Sequence, residues 1–184
     1  MIIFKETKLK GAFVIEPEKF EDGRGFFARS FSRQEFLERG LRTEFVEAGI
    51  SFNRRKHTVR GMHLQTEPDE QAKLVRCTRG AIYDVMIDLR PESPTYKQWV
   101  AQELTAENRL ILYIPEGCAH GYQTLEDGSE VFYQLSVRYA PESERGFRWN
   151  DQAFAIRWPV TDEIIINDRD RTYPDFEHSG LVEE

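Results

Sequence analysis

The sequence predicts an all-β protein, a sandwich or barrel with a few short peripheral helices. Three observations predict it. Apolar and polar residues alternate with a period of two in strand-length runs, turn-forming clusters punctuate the chain at short intervals, and one segment alone has a clear helix start and stop. At 184 residues the chain is expected to be a single domain spanning 1–184, long enough to bury a substantial core.

Taken in order, residues 1–31 read as short strands. F-V-I at 13–15 is followed, after the turn signal D-G-R-G, by G-F-F-A-R-S-F. Residues 32–40 carry the helix signal: Ser32 with Glu35 forms a capping-box pair, and Gly40 supplies the stop. Residues 45–53 return to strand-like alternation. In 81–89, Ala81, Tyr83, Val85, Ile87 and Leu89 share one face while Asp84 and Asp88 share the other. The turn P-E-S-P at 91–94, W-V-A-Q-E-L at 99–104 and L-I-L-Y-I at 110–114 follow. Residues 131–139 alternate cleanly, with Val131, Tyr133, Leu135, Val137 and Tyr139 on one side. Beyond Trp158 the chain is more polar; residues 159–184 are expected to wrap the barrel and end in a disordered acidic tip at Glu183 and Glu184.

Composition narrows the function. A formal net charge of −7 argues against a nucleic-acid partner, which calls for a basic face. An anionic ligand would have to be met by a local cluster, such as Arg54 to Lys56 with Arg60, or Lys73, Arg76 and Arg79. Residues 1–10 are too short and too interrupted by charge for a secretory leader. No run approaches the roughly 18 apolar residues of a membrane span. With two cysteines, Cys77 and Cys118, read as buried reduced thiols, a cytoplasmic location without membrane contact is expected.

The stretch from Arg60 to Gly80, R-G-M-H-L-Q-T-E-P-D-E-Q-A-K-L-V-R-C-T-R-G, resembles the first metal-binding motif of a cupin, G-x5-H-x-H-x3,4-E-x6-G. His63 holds the place of the first histidine, but Gln65 replaces the second and Lys73 falls near the place of the glutamate. An ammonium repels a divalent cation and offers it no lone pair. The second half, P-x-G-x-x-H-x3-N, is matched by Pro115, Gly117 and His120, with Thr124 at its last position. Only His63 and His120 survive of the usual ligand set, so neither a catalytic metal nor another cofactor is expected. The implied fold is a cupin-type jelly-roll β-barrel.

A barrel with histidine and lysine on its inner wall is suited to work with the side chains themselves. A neutral imidazole paired with a carboxylate can take a carbon-bound proton that a neighbouring carbonyl acidifies. Lys73 can hold the resulting enolate oxygen in a water-poor cavity. A phenol such as Tyr133 can return a proton to the opposite face and invert the centre. Base, oxyanion clamp and opposed acid make an epimerase beside a ketone.

The runs V-R-G-M-H-L-Q, Q-A-K-L-V-R-C-T-R-G-A-I-Y-D-V-M-I-D-L-R, L-Y-I-P-E-G-C-A-H-G-Y, E-V-F-Y-Q, Y-A-P-E-S-E-R-G-F-R-W-N-D and I-N-D-R-D-R resemble the dTDP-4-dehydrorhamnose 3,5-epimerases from about residue 10 to residue 175. That resemblance implies a homodimer in which the N-terminal strands, residues 1–30, reach the partner. It also implies a nucleotide-diphosphate 4-keto-6-deoxy sugar as substrate, inverted at C3, at C5 or at both, in deoxysugar biosynthesis. His63 resembles the family's catalytic base, Asp170 its paired carboxylate, Lys73 the enolate stabiliser and Tyr133 the acid. Arg60 and His120 match positions lining the sugar and diphosphate, Arg24 matches an arginine offered to the nucleotide by the neighbouring subunit, and Tyr139 joins the substrate-binding set.

Departures from the family pattern are informative. Leu64 follows His63 where tyrosine is usual, Arg29 replaces a glutamate, and Glu47 and Gly49 replace Gln and Asn. Arg29 and Glu47 read as an exchange of charge between two walls of the nucleotide pocket. On that reading the base is either thymine held by other contacts or a different base, as in a cytidine diphosphate sugar. Other readings are a 3-epimerase, a keto-isomerase that moves the carbonyl, and a catalytically silent sugar-nucleotide-binding cupin. A metal-dependent cupin is disfavoured by Gln65 and Lys73.

Overall fold

A computed structural model describes residues 1–181; the acidic tip at Glu183 and Glu184 lies outside the described residues. Strands dominate. In chain order they are β1 (Ile2–Glu6), β2 (Phe13–Pro17), β3 (Lys19–Asp22), β4 (Gly25–Ala28), β5 (Glu47–Asn53), β6 (Val59–Gln65), β7 (Lys73–Arg79), β8 (Ala81–Asp88), β9 (Trp99–Thr105), β10 (Ile111–Ile114), β11 (Cys118–Thr124), β12 (Ser129–Leu135) and β13 (Glu144–Gly146). Helix α1 (Arg33–Leu37) precedes β5, and α2 (Asp168–Thr172) with the 3-10 turn Phe176–His178 follows β13. Two antiparallel sheets face each other: β1-β2-β10-β7-β12-β5 and β13-β6-β11-β8-β9. The β3–β4 hairpin pairs with neither.

The core between the sheets is built from Val75, Cys77, Ile82, Met86, Leu104, Leu112, Ile114 and Val131. The alternation predicted for β12 holds, with Val131 and Leu135 buried and Tyr133 facing the interior cavity. The strand stops at Leu135 rather than running to Tyr139, because the next residues are drawn away to other partners. Ser136 N–H donates to the Ala72 carbonyl at 3.0 Å, and the Gln71 amide donates to the Val137 carbonyl at 3.1 Å.

In β8 both faces are buried, so the alternation there does not divide core from solvent. Tyr83, Val85 and Ile87 pack outward under the segment that follows β13, where Phe147, Trp149, Phe154, Trp158 and Phe176 make a second core. Trp158 Nε1 donates to the Trp149 carbonyl at 2.8 Å, which satisfies the indole in this irregular wrap. Asp88, on the other face, accepts from Arg90, from Ser93 Oγ at 2.5 Å and from Thr95 Oγ1 at 2.6 Å, closing the 90–95 turn.

Helix α1 is shorter than the expected 32–40. Ser32 caps it, accepting from the Glu35 amide at 3.4 Å, but the Glu35 carboxylate turns to the Ile2 amide instead of completing the box. Phe36 anchors it in a third cluster with Ile15, Leu74 and Tyr113 on the outer face of the six-stranded sheet. The rest of that face, over β5, stays uncovered, with Ile50 65 % and Phe52 48 % exposed.

Candidate active site

The jelly roll leaves a cavity of about 480 Å³ at one end of the sandwich, and both sheets line it. From the five-stranded sheet come His63 on β6 and His120 on β11, direct cross-strand neighbours. From the six-stranded sheet come Lys73 on β7 and Tyr133 on β12. Gly61, at φ +113°, and Gly121 permit the close approach of β6 and β11 here, since a Cβ on Gly61 would meet the Gly121 Cα at 2.6 Å.

His63 Nε2 is 2.8 Å from Asp170 Oδ1. The second oxygen of Asp170 accepts the Gly61 N–H at 3.1 Å. Asn167 caps α2 by accepting the Asp170 amide at 2.6 Å, which fixes the carboxylate's approach. Burial pushes the Asp170 carboxyl upward, but the hydrogen bond and charge of His63, the Gly61 amide and Arg169 outweigh it, and the net shift is down. An ionised carboxylate accepts only, so Nε2 carries the proton and Nδ1 is left as the basic nitrogen.

The second histidine is oriented in the same way. His120 Nε2 lies 2.9 and 3.0 Å from the two oxygens of Asp84, which is wholly buried. Burial raises the Asp84 pKa, opposed by His120 and the charge of Lys73. Asp84 was read from the sequence only as part of a strand face and not as a site residue; its signal was a carboxylate within a strand whose other side chains are almost all apolar.

The Lys73 ammonium makes no hydrogen bond or ion pair with any described residue, although its backbone pairs with β10 and β12. Desolvation brings its pKa down to about 8, against the opposing attraction of Glu144 and Asp84. An unpaired cavity lysine is costly for folding, which makes it a marker of a working site.

The mouth is framed by a polar chain. Tyr139 Oη donates to Glu144 at 2.6 Å, Glu144 pairs with Arg169, and Arg169 Nε donates to Tyr173 Oη at 2.7 Å. The Tyr173 ring stands edge-on to His63 with centroids 5.8 Å apart. Arg60 lines the cavity and donates from Nε to Asn53 at 2.9 Å. Gln65, at the place of a cupin ligand, is buried and fully engaged with backbone. It donates to the Asp69 carbonyl at 2.7 Å and the Arg138 carbonyl at 3.2 Å and accepts from the Ala140 amide at 2.8 Å. Gln65 therefore holds the segment that carries Tyr139. No group of three or more His, Cys, Asp or Glu side chains is placed to share an ion among the described residues.

Within one chain the structure brings together only part of the expected binding set. Glu47 lines the cavity, and its carboxylate accepts the Tyr139 amide at 3.0 Å. Arg29 does not face it within one chain: it lies beyond the β3–β4 hairpin and pairs with Glu35 at 3.8 Å. Arg24, 91 % exposed at the hairpin tip, pairs with Asp22 and is likewise outside its own chain's cavity. Gly49 lies beneath the ring of Tyr133, its cross-strand partner. The paired charge exchange across one pocket is thus absent within a chain.

Residues 6–178 match the family model described as dTDP-4-dehydrorhamnose 3,5-epimerase. The chain is 40 % identical over 184 residues, all of both chains, to the dTDP-4-dehydrorhamnose 3,5-epimerase of Salmonella typhimurium. Among solved structures, that of the enzyme of the same name from Elizabethkingia anophelis superposes with a TM-score of 0.93 at 36 % identity, covering 96 % of this chain and 97 % of that one. The Legionella pneumophila dTDP-6-deoxy-D-glucose-3,5-epimerase, in complex with dTDP-4-keto-L-rhamnose, gives 0.90 at 32 % identity, covering 97 % of this chain and 94 % of that one.

Proposed function

The chain belongs to the dTDP-4-dehydrorhamnose 3,5-epimerase family and is an isomerase; from that premise we propose that it inverts both C3 and C5 of a dTDP-linked 4-keto-6-deoxyhexose, with His63, Asp170, Lys73 and Tyr133 as its working groups. One observation carries the reading: the base stands on one sheet and the phenol on the other, facing a single cavity from opposite walls. His63 Nδ1 takes the proton from a carbon α to the C4 ketone, and the Asp170 carboxylate stabilises the imidazolium that forms. The electron pair moves onto the ketone oxygen, where the Lys73 ammonium holds the enolate. The Tyr133 hydroxyl then gives its proton to the opposite face of the same carbon. C3 and C5 are both α to C4, so one constellation serves each in turn.

Arg60 and the His120–Asp84 pair are the groups for the diphosphate and sugar. Thymine is favoured as the base. Relatives named for thymidine sugars support the same choice.

A homodimer is proposed on two uncovered apolar surfaces. The β3–β4 hairpin exposes Phe20, Phe26 and Phe27, the last by 67 %, and the outer face of edge strand β5 exposes Ile50 and Phe52. A second copy that covers both would carry Arg24 to the neighbouring cavity, and an equilibrium mass of one chain at micromolar concentration would refute this.

The catalytic reading is tested by Tyr133→Phe in deuterated water with dTDP-4-keto-6-deoxyglucose. Exchange at C3 and C5 should persist while net inversion is lost. Equal loss of both would remove Tyr133 from the role of acid, and faster turnover of the cytidine diphosphate analogue would overturn the choice of base.

A further inference from the structure

Arg60 reaches the cavity from β6 of the five-stranded sheet, yet the side chain that holds it belongs to the other sheet. Its Nε donates to Oδ1 of Asn53, on β5, at 2.9 Å. Neither Nη group bonds to any described residue. An arginine engaged through one nitrogen keeps the rest of its planar fork for a ligand.

Asn53 is buried, and its Nδ2 faces three acceptors at 3.3 Å: the carbonyls of Ser51 and Ser129 and the Tyr122 hydroxyl. Two of these can only accept. Turning the amide over would set its oxygen against both carbonyls and its NH2 group against the Arg60 Nε–H, in a place where unmatched polar groups are costly. The amide is therefore locked with Oδ1 toward Arg60. Donation runs one way, from the guanidinium to Asn53 and from Asn53 to the strand backbones. The strands fix both ends of this link, since Asn53 is the cross-strand partner of Ser129 and Arg60 that of Tyr122. Ser51, Arg60 and Tyr122 all line the cavity.

We infer that Asn53 is a positioning residue for the diphosphate: it holds Arg60 by Nε from the other sheet, so that both Nη groups stand ready for phosphate oxygens before substrate arrives. This rests on the reading of Arg60 as a diphosphate group. A loose arginine must be ordered when the ligand binds, and immobilising so flexible a side chain costs up to about tenfold in affinity. The bond to Asn53 moves that cost from binding to folding.

Asn53→Ala and Asn53→Leu are the test, the second retaining the side chain's bulk. They are measured beside Arg60→Gln and the double variant of Asn53→Ala with Arg60→Gln, for turnover of dTDP-4-keto-6-deoxyglucose, inhibition by dTDP and by thymidine, and thermal unfolding. Either change at position 53 should raise KM and the dTDP inhibition constant about tenfold, while kcat and the thymidine constant stay within a few-fold of the parent. Arg60→Gln should weaken dTDP on the order of 100-fold. Adding Asn53→Ala to it should weaken dTDP no further, because a residue that acts through Arg60 then has nothing to act on. An unchanged dTDP constant at position 53 overturns the inference, as does an equal loss for thymidine, a fall in kcat with KM unchanged, a multiplied loss in the double variant, or failure of both replacements to fold. If Arg60→Gln alone binds dTDP as the parent does, the role of Arg60 itself falls and the inference with it, an outcome visible without any change at position 53.

Discussion

Replacing Asp170 by asparagine should silence the base without emptying its site. The carboxylate is held at both oxygens: Oδ2 accepts the Gly61 N–H at 3.1 Å and Oδ1 faces His63 Nε2 at 2.8 Å. An amide has one acceptor, and Gly61 can only donate, so the asparagine oxygen turns to Gly61 and its NH2 group to His63. Nε2 must then accept, the ring proton moves to Nδ1, and the nitrogen that should take the substrate proton is occupied. Reversing the amide would oppose two donors in a buried site at a cost of about 1–3 kcal/mol, which leaves roughly a tenth to a hundredth of molecules in the productive tautomer. These also lose the charge-assisted bond to the imidazolium, worth about 1.5–3 kcal/mol or some tenfold to a hundredfold in rate. The combined loss in kcat is about 10²–10⁴-fold. Deuterium incorporation and net inversion should fall together, with KM little changed because Asp170 is buried behind His63. Exchange within tenfold of the parent would refute the tautomer argument.

Lys73, brought down to about 8 by desolvation, is charged below that pH and loses its charge as pH rises through it, so kcat/KM should fall on the alkaline side of about pH 8. Lys73→Arg, which stays charged, should remove that limb from the pH profile whatever activity remains. The Asp88 carboxyl is pushed up by burial but brought down to about 2 by Arg90, Ser93 and Thr95. Its depressed pKa contributes stability of about 2 kcal/mol, present above pH 4 and lost as pH falls toward 2, so Asp88→Asn should flatten the acid limb of the urea midpoint. Gln65→Ala removes two bonds that hold residues 138–140 and a third to the Asp69 carbonyl, and should cost about 2–3 kcal/mol in chemical denaturation. It should also raise KM more than it lowers kcat, through Tyr139.

The strands were legible because a period of two needs nothing beyond local sequence, and β12 shows this with Val131, Tyr133 and Leu135 on the inner face. Where alternation misled, tertiary partners had overridden it. Residues 136–139 continue the pattern but are claimed by Ala72, Gln71 and Gln65. In β8, Tyr83, Val85 and Ile87 face a wrap whose aromatic residues carry no periodicity at all. Lys73 and Tyr133 were visible as residue types suited to the chemistry. Asp170, within a charged run, came from the family resemblance, since sequence spacing carries no trace of a contact between positions 107 residues apart. The role of Asp84 escaped for a similar reason: it depends on which side chain a neighbouring strand places opposite.

His63 is set on the barrel wall by β6, but its tautomer depends on Asp170 of α2, which follows the aromatic wrap. That wrap is tied to Phe176, whose amide donates to buried Asp151 at 2.5 Å. The group that fixes the proton and the residues that frame the cavity mouth therefore lie in one segment, so a change that loosens the wrap weakens the base and opens the cavity together.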